Sequence, residues 1–551
     1  MTYKTAYDSV HFYMSDLTSH VVAKTGIPTD RYHLGKLILH SFQEEPDFVF
    51  QIDGATNQSE TNASALDRSV RCAIAIKDLG LKAGDVMVLM GPNHIDLCIP
   101  HYAGLYLGVL VAAIDATLGV SELEDNFNVT KPKIIFCQSE IVEAVEKALN
   151  LAGVQATIVT FNEGSEHSTL AQFLKKIDEQ DVKDFQPTNF DASETTAFLT
   201  STSGTTGTPK AAVLTHKNLC TSIPYLWSHF SNFPKPTKMV LIMSPLQWLT
   251  AGMYYLFGPI VRVTRLQTSS PITPDHFAHL INTYKPTLTV TSPVLMNGLL
   301  STSDQCDFSC FESIILGGSA VYPEVLEKLK ELTKSQKVYG IYGMSEVAGS
   351  AFFNDYTPPI GSSGSARGCL EYRLVDPVTN VDITEPNVNG ELWLRGPQVF
   401  KGYYNNPEMT AETLTEDGWM KTGDIFYRNE YWHFFFVERN KSLLKYRNHQ
   451  IAPIEVETVI RKHPGVKEVC VTGIPDKECG DLVVACVIPK PGWTPKAQEI
   501  KDIVKDVIIS ESLTDTKQLR GGVIFLKEFP LTSSSKINRR HLKALVLTMD
   551  R

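Results

Sequence analysis

The chain has 551 residues, of which 43% are hydrophobic and 20% are charged, a composition that excludes a disordered, collagen-like or coiled-coil protein. One hydrophobic core stops growing at roughly 250–300 residues, so we expect at least two domains. The net charge of −10 offers no general attraction for phosphate backbones, so we expect no nucleic-acid partner.

Targeting signals are not evident in the sequence pattern. The most apolar run, residues 103–114, is shorter than the roughly 18–20 residues of a membrane span and indicates a buried strand or helix. The start of the chain lacks the apolar segment of a secretory signal, so we expect a cytoplasmic protein without a transmembrane segment. The final residues do not form a Ser-Lys-Leu type of address, although a peroxisomal location stays open.

Short apolar runs bounded by turn residues recur along the first part of the chain and alternate with helix-like patterns. They predict buried strands at 85–90, 132–137, 156–161, 284–291 and 312–316. This alternation is typical of an α/β architecture with largely parallel sheets.

Around residue 430 the pattern changes. An aromatic run at 431–437 predicts a strand, and the charged stretch 438–441 that follows it would, taken alone, be a plain surface turn. A helix near 454–462 and strands at 469–473 and 483–488 then predict a separate small α+β domain.

The segment from Phe198 to Lys210 is a candidate phosphate-binding loop. Gly204 and Gly207 let backbone N–H groups approach an anion, while the hydroxyl groups add donors and Lys210 adds a positive charge. Pro209 stands where a Walker A loop has its second glycine, so the cradle must be built differently. The alternative interpretation is a flexible linker. The strand that precedes the segment and the Pro-Lys pair that ends it argue against a linker. The candidate phosphate-contacting residues are Thr202, Ser203, Gly204, Thr205, Thr206, Gly207, Thr208, Pro209 and Lys210.

This segment resembles the signature loop of the acyl-adenylate-forming superfamily, which includes acyl-CoA synthetases, 4-coumarate–CoA ligases, beetle luciferases and adenylation domains. Further segments resemble motifs of that family in the same order: Gly317–Ala320, Ile341–Glu346, Gly390–Leu392, Gly402–Asn405, Gly418–Asp424, Glu438–Lys445, Pro453–Glu457 and Pro530–Lys536. The resemblance covers the chain from about Phe50 onward and is strongest to the luciferase-like acyl-CoA ligases of insects.

The resemblance implies a two-domain enzyme. Residues 1–438 would form a large domain of α/β sheets with a β-barrel-like subdomain, and residues 439–551 a small mobile α+β domain that turns about a hinge near 438–441. The implied reaction joins a carboxylic acid to ATP to give acyl-AMP and pyrophosphate, after which CoA displaces AMP. ATP, Mg²⁺ and CoA are therefore the expected cofactor, metal and cosubstrate.

The resemblance also assigns roles near the nucleotide. Glu346 would hold Mg²⁺, Tyr342 would stack on adenine, and Ser345 would contact phosphate. The remaining residues expected around the nucleotide in this part of the chain are Gly317, Gly318, Ser319, Gly343 and Met344. Without the resemblance, Glu346 would be read as a solvated loop residue.

Other roles fall near or beyond the expected hinge. Asp424 and Arg439 would bind the ribose, and Lys536 would bridge the carboxylate and the α-phosphate during adenylation. Lys445 would approach after the small domain turns, with Asn448 along the pantetheine tunnel. Without the resemblance, Asp424 would be a turn residue and Lys536 an exposed lysine.

Four positions depart from the family pattern: Ala211, Asn448 and Ser535 stand where glycine is usual, and Glu438 stands where aspartate is usual. Because serine loses backbone freedom at positive φ, Ser535 puts the placement of Lys536 in question. Asn448 could narrow the tunnel.

The segment from Ser244 to Met253 corresponds to the acyl site of the family. Beetle luciferases carry a His pair where this chain has Gln247 and Trp248, and Trp248 could line an apolar tunnel or belong to the core. Thr250 and Ala251, together with Gly252, predict a roomy far side. A medium- or long-chain fatty acid fits best, with an aryl acid as the alternative.

Three functions therefore stand open. The first is an acyl-CoA ligase. The second is a luciferase-like monooxygenase that adenylates and oxidises a luciferin, against which the missing His pair argues. The third is an ATP- or acyl-binding protein of low activity, which the departures from the family pattern motivate and the retained lysines and carboxylates oppose.

Overall fold

The computed structural model describes residues 33–202, 210–227, 238–319, 321, 323–354, 358–366, 370–446, 449–476, 478–509, 515–532 and 536–549. These residues divide into two compact units. The first comprises the described residues up to Glu371 together with Arg395–Met420, and the second comprises Tyr372–Leu394 with those from Lys421 onward.

Helices and strands alternate along the first unit. Its helices are α1 Leu34–Glu44, α2 Asn62–Asp78, α3 Cys98–Leu107, α4 Val120–Thr130, α5 Val142–Ala152, α6 Leu170–Lys175, α7 Glu179–Asp184, α8 His216–Trp227, α9 Leu249–Val261, α10 Pro274–Tyr284, α11 Pro293–Leu299, α12 Pro323–Thr333 and α13 Pro407–Thr413. Its strands are β1 Val49–Asp53, β2 Gln58–Thr61, β3 Val86–Leu89, β4 Leu110–Ala113, β5 Ile134–Cys137, β6 Thr157–Thr160, β7 Thr196–Thr202, β8 Lys210–Thr215, β9 Met239–Leu241, β10 Thr264–Gln267, β11 Leu288–Thr291, β12 Ser313–Gly317, β13 Val338–Met344, β14 Gly349–Phe353 and β15 Ser365–Ala366.

The second unit is richer in antiparallel strands. Its strands are β16 Glu371–Val375, β17 Gly390–Arg395, β18 Met420–Arg428, β19 Phe434–Arg439, β20 Leu444–Tyr446, β21 His449–Ile451, β22 Val466–Asp476, β23 Gly480–Pro489 and β24 Gly522–Phe525. Its helices are α14 Pro453–Ile460, α15 Ala497–Ile509 and α16 Arg539–Thr548.

A six-stranded sheet in the first unit has the order β6-β5-β3-β4-β7-β8. Its neighbouring strands run parallel except β8, which turns back antiparallel to β7. Every residue of β3, β4 and β5 is buried, as expected for parallel strands covered on both faces. The apolar run 103–114 contributes both the end of α3 and the whole of β4.

A nine-stranded sheet in the same unit has the order β15-β14-β13-β12-β11-β9-β10-β1-β2. Strands β11, β12 and β13 are parallel neighbours, and Gly317 at the end of β12 pairs with Ile341 in β13. In open sheets of this kind ligands bind beyond the carboxyl ends of the strands. The segments that follow β12 and β13 are therefore the expected location of a site.

The second unit contains two sheets. Strands β16–β19 form a four-stranded sheet in chain order. The other sheet has the order β21-β20-β23-β22, with β24 beside β23. Alternate residues of β22 are buried in two different cores, because Val471 packs with α14 and α15 whereas Cys470 packs with α16.

The predicted elements are confirmed with small changes of boundary. Strands β3, β5, β6, β11, β12, β22 and β23 and helix α14 occupy the predicted segments. The aromatic strand starts later than expected, because Trp432 adopts a positive φ of 63° in the turn that precedes Phe434. Within the described ranges, no helix combines the length and apolarity that crossing a membrane requires.

Arg265 is the largest side chain buried in the first unit, with 1% of its surface exposed. Its Nε and Nη2 atoms each donate to a glutamine oxygen at 2.6 Å, on Gln267 and Gln51. Its guanidinium carbon lies 3.7 Å from the ring centroid of Tyr255. A buried charge requires such partners, so this cluster links β1, α9 and β10.

We expect Arg265→Ala to lower the free energy of unfolding by about 3 kcal/mol or more, because two buried glutamine oxygens lose their donors. Denaturant unfolding followed by fluorescence measures the change. The control is Lys133→Ala, which removes only the ion pair of this exposed lysine with Asp85 and should cost less than about 1 kcal/mol. Equal effects of the two substitutions would contradict the structural role of Arg265.

Candidate functional site

Residues 397–404 form the connecting segment between β17 and α13. This connecting segment contacts both sheets of the first unit. Asn218, at the start of α8, donates from Nδ2 to the carbonyl oxygens of Pro397 at 2.8 Å and Val399 at 2.9 Å. Gln398 donates from Nε2 to the carbonyl oxygen of Val347 at 3.3 Å. The segment is thus held at both sides by buried amide groups.

The same segment pairs with β8 along its backbone. The N–H of Val213 donates to the oxygen of Gly402 at 2.9 Å, the N–H of Lys401 to Val213 at 3.1 Å, and the N–H of Tyr404 to Ala211 at 2.8 Å. Tyr403 forms an antiparallel bridge with Ala212. This pairing places Tyr403 close to Lys210, the first residue of β8.

Glu346 lies in a single 3-10 turn, Ser345–Val347, between β13 and β14. The N–H of Phe400 donates to its carbonyl oxygen at 2.7 Å. The hydroxyl of Tyr403 donates to Oε1 of its side chain at 2.7 Å. With 7% of its surface exposed, Glu346 is not the solvated loop residue that its sequence alone suggested.

Lys210 lies on the other side of Tyr403. Its Nζ atom is 5.5 Å from the centroid of the Tyr403 ring, within the range of a cation–π contact, and 3.1 Å from Sδ of Met409. One tyrosine therefore contacts both the expected metal carboxylate and the expected phosphate lysine. Sequence reasoning quoted Tyr403 within the Gly402–Asn405 motif but gave it no role.

The candidate phosphate loop joins the paired ends of β7 and β8. Thr202 is the register partner of Lys210 in this antiparallel pair. The phosphate contacts predicted for the rest of the loop stay predictions, because its residues lie outside the described ones: Ser203, Gly204, Thr205, Thr206, Gly207, Thr208 and Pro209.

The residues expected around the nucleotide follow β12 and β13 at neighbouring strand ends. Strand β12 ends at Gly317 and is followed by Gly318 and Ser319. Strand β13 ends with Tyr342, Gly343 and Met344 and is followed by Ser345. The half-buried ring of Tyr342 lies 5.6 Å from that of Phe352, with an interplanar angle of 34°. Gly343 must be glycine, because a Cβ atom there would overlap the backbone of Gly349 in β14.

The acyl-site segment lies at the N-terminus of α9. Gln247, Trp248 and Thr250 are half-buried, whereas Ala251 is fully buried. A Cβ atom at Gly252 would lie 3.1 Å from the ring of Phe198, so that ring packs closely against this glycine, while the predicted room on the far side of the acyl site stays a prediction. Of the acyl-site residues, the half-buried Gln247, Trp248 and Thr250 retain exposed surface.

Asp424 and Arg439 face each other in the second unit. They are register partners across β18 and β19, and Nε of Arg439 lies 3.3 Å from Oδ1 of Asp424. Asp424 has 2% of its surface exposed, and its backbone N–H donates to Oγ1 of Thr422 at 3.1 Å. The two residues assigned to the ribose are therefore brought together by strand pairing.

Glu438 is buried, with 5% of its surface exposed, so the charged stretch is not simply a surface turn. Burial raises the pKa of its carboxyl, and the charge of Arg539 opposes that shift. Arg539 itself donates from Nη2 to Oε1 of Glu457 at 2.8 Å and from Nη1 to the oxygen of Val471 at 2.9 Å. This charged cluster joins the end of β19 to α14, β22 and α16.

Lys536 is half-buried in a short loop before α16. The N–H of Thr532 donates to the carbonyl oxygen of Lys536 at 2.7 Å, and Leu531 forms an antiparallel bridge with Ile537. Asn448, Ser535 and the side chain of Lys445 lie outside the described residues, so their assigned roles stay predictions.

The chain belongs to the AMP-binding enzyme family. That family matches residues 39–404, and the AMP-binding enzyme C-terminal domain matches residues 455–536. The chain is therefore an AMP-binding enzyme of a family that includes CoA ligases, and its large α/β region and smaller C-terminal region match the adenylate-forming fold.

The curated relatives of this chain include luciferin 4-monooxygenases and CoA ligases. It is 31% identical to the luciferin 4-monooxygenase of Photuris pensylvanica, over 87% of this chain and 88% of that protein. It is 27% identical to peroxisomal OPC-8:0-CoA ligase 1 of Arabidopsis thaliana, over 89% of each. The fold matches ATP-bound MatB from Rhodopseudomonas palustris with a TM-score of 0.83 and 21% identity, over 94% of this chain and 99% of that structure.

Glu346 fits the type of site in which proteins hold Mg²⁺. Such sites use one or two carboxylates together with water and substrate phosphates, rather than a cage of protein ligands. Across the described ranges no group of three or more His, Cys, Asp or Glu side chains could hold a metal ion. Glu346 supplies one such carboxylate, and the hydroxyl of Tyr403 orients it.

We expect Glu438→Gln to stabilise the protein near pH 7. Because the folded state raises the pKa of this carboxyl, the contribution of Glu438 to stability is greatest at acid pH and is lost as the pH rises through the folded-state pKa. Glutamine keeps an acceptor for the N–H of Arg439 and carries no buried charge.

Denaturant unfolding between about pH 5 and pH 8 tests this expectation, and the advantage of Glu438→Gln should shrink toward pH 5. The exposed Glu478 supplies the control, since Glu478→Gln should give a small difference that does not depend on pH. An advantage that grows on acidification would rule out the burial of a charged Glu438 as its cause.

Proposed function

We propose that the protein is an ATP-dependent acyl-CoA ligase that converts a carboxylic acid, a medium- or long-chain fatty acid, to acyl-AMP and then to acyl-CoA. The main observation behind this proposal is that Tyr403 contacts both Glu346 and Lys210. A carboxylate and a cation therefore lie close together where the connecting segment 397–404 packs beside β8 and the end of β13. The family assignment and the CoA ligase relatives support it.

The residues of the first unit would act on the phosphates. Lys210 would counter the phosphate charge, and Glu346 would hold Mg²⁺, which supplies further neutralisation of that charge when bound. The half-buried Tyr342 offers a ring face of the kind that stacks on a base.

The residues of the second unit would act on the ribose and on the acid. The two oxygens of Asp424 can accept hydrogen bonds from both ribose hydroxyls, with Arg439 beside them. Lys536 would counter the charge that builds between the carboxylate and the α-phosphate in adenylation. Lys445 would replace it for thioester formation after the chain turns near 438–441.

The acid preference is drawn from the acyl-site segment. Trp248 is half-buried at the start of α9, a helix that is apolar around its whole circumference and buried from Ala251 onward. An aromatic and aliphatic lining suits an alkyl chain. Since the ring of Phe198 occupies the space beside Gly252, the alkyl chain of the acid would extend along Trp248 and Thr250 instead.

Release of pyrophosphate measured with a panel of acids, with and without CoA, tests the proposal. We expect release that depends on the acid, is greatest for medium or long alkyl chains, and yields a CoA thioester. Release without a CoA thioester would overturn the ligase function, and no release with any acid would favour a binding protein of low activity.

We expect Lys536→Ala to abolish adenylation and to spare thioester formation from supplied acyl-AMP, because the lysine acts only in the first half-reaction. The two half-reactions are measured separately by pyrophosphate release and by CoA thioester formation. The matched control is Lys527→Ala, an exposed lysine of the same unit, which should change neither. Equal loss of both half-reactions would contradict the division of roles between Lys536 and Lys445.

Oxidation of a luciferin is the second candidate, favoured by the 31% identity to a luciferin 4-monooxygenase. Gln247 and Trp248 oppose efficient light emission, since neither offers the base that a His pair would supply. Light emission measured with beetle luciferin, ATP and oxygen separates the candidates. Emission comparable to the rate of adenylation would favour the oxygenase.

A further inference from the structure

We infer that Tyr403 is a positioning residue that sets how tightly the enzyme holds the metal complex of ATP. It does so by fixing the Glu346 carboxylate through its hydroxyl while its ring faces the ammonium group of Lys210. This inference rests on the proposed function, because it concerns the same ATP site.

The hydroxyl of Tyr403 uses one of the two oxygens of Glu346. It donates to Oε1 at 2.7 Å, and within the described part of the chain no hydrogen bond from the protein reaches Oε2. The carbonyl oxygen of Glu346 is fixed as well, by the N–H of Phe400 at 2.7 Å. The carboxylate is therefore oriented at one oxygen, which leaves Oε2 for a cation.

The position of Tyr403 is itself determined by several contacts. Its backbone bridges Ala212 in β8, its N–H donates to Oγ1 of Thr410 at 2.9 Å, and its ring packs edge-on against Phe400 at 4.9 Å. Gly402 before it has a φ of 135°, which a side chain would strain. The constrained backbone therefore fixes the hydroxyl of Tyr403 next to the carboxylate of Glu346.

The two contacts of Tyr403 can be separated by substitution. Tyr403→Phe removes the hydroxyl from Glu346 and keeps the ring beside Lys210, whereas Tyr403→Leu removes both. Loss of a hydrogen bond that orients a metal-binding side chain typically weakens metal binding about 10–100-fold. The first variant should therefore affect the metal complex of ATP selectively, and the second should also weaken binding of ATP without metal.

The experiment measures binding rather than turnover, on the full chain. Isothermal titration gives the affinity for a non-hydrolysable ATP analogue with EDTA and with Mg²⁺, and electron paramagnetic resonance gives the affinity for Mn²⁺ in the presence of the analogue. We expect Tyr403→Phe to weaken Mn²⁺ binding about 10-fold or more and to leave the affinity for metal-free analogue unchanged.

The matched control is Tyr404→Phe, the same substitution at the next residue, whose half-buried side chain packs against the core under β8. Tyr404→Phe should bind Mn²⁺ and the analogue as tightly as the unmodified chain does. The melting temperatures of both Phe variants should lie within a few degrees of that of the unmodified chain. Equal weakening in the two variants, or weakening of metal-free binding by Tyr403→Phe, would overturn the positioning role. Unchanged Mn²⁺ affinity in Tyr403→Phe would overturn it while leaving the proposed function intact, whereas an unmodified chain that binds no analogue would overturn both.

Discussion

The pairing of the connecting segment 397–404 with strand β8 is the interaction on which the candidate site depends. Strand β8 belongs to the six-stranded sheet, while the turn that carries Glu346 extends from the nine-stranded sheet. Backbone hydrogen bonds from Lys401 and Tyr404 to β8, and from Phe400 to Glu346, join the two sheets at one place. Because hydrogen bonds between buried backbone groups have a fixed geometry, Glu346 and Lys210 acquire a defined separation through Tyr403.

Paired buried charges link separate elements within each of the two units. Arg265 is satisfied by two glutamine side chains and by an aromatic ring, and Arg539 pairs with Glu457 while lying near Glu438. A charge in such a position costs free energy unless each of its polar atoms is paired, so it tolerates few alternative arrangements. These clusters link elements that are distant in the chain and thereby limit how the strands that carry site residues can shift.

Apolar periodicity predicted most of the strands, because a strand buried on both faces needs a continuous apolar run wherever it lies. It could not predict where the aromatic strand begins, since the positive φ of Trp432 belongs to a particular turn. Phe198, which is distant in sequence from the small residues at 250–252, packs closely against Gly252. Vacant space depends on what packs opposite a residue, and the local sequence does not contain that information.

The sequence alone determined the family of this chain, because its ordered motifs resemble those of the adenylate-forming enzymes and carry the residue types that phosphate binding needs. Only the tertiary structure decided which of those residues lie next to one another. It placed Tyr403 between Glu346 and Lys210 and aligned Asp424 with Arg439 across two strands. The reason is physical: strand register and backbone pairing bring together residues separated by many positions in the chain, and a motif read in isolation carries no record of that pairing.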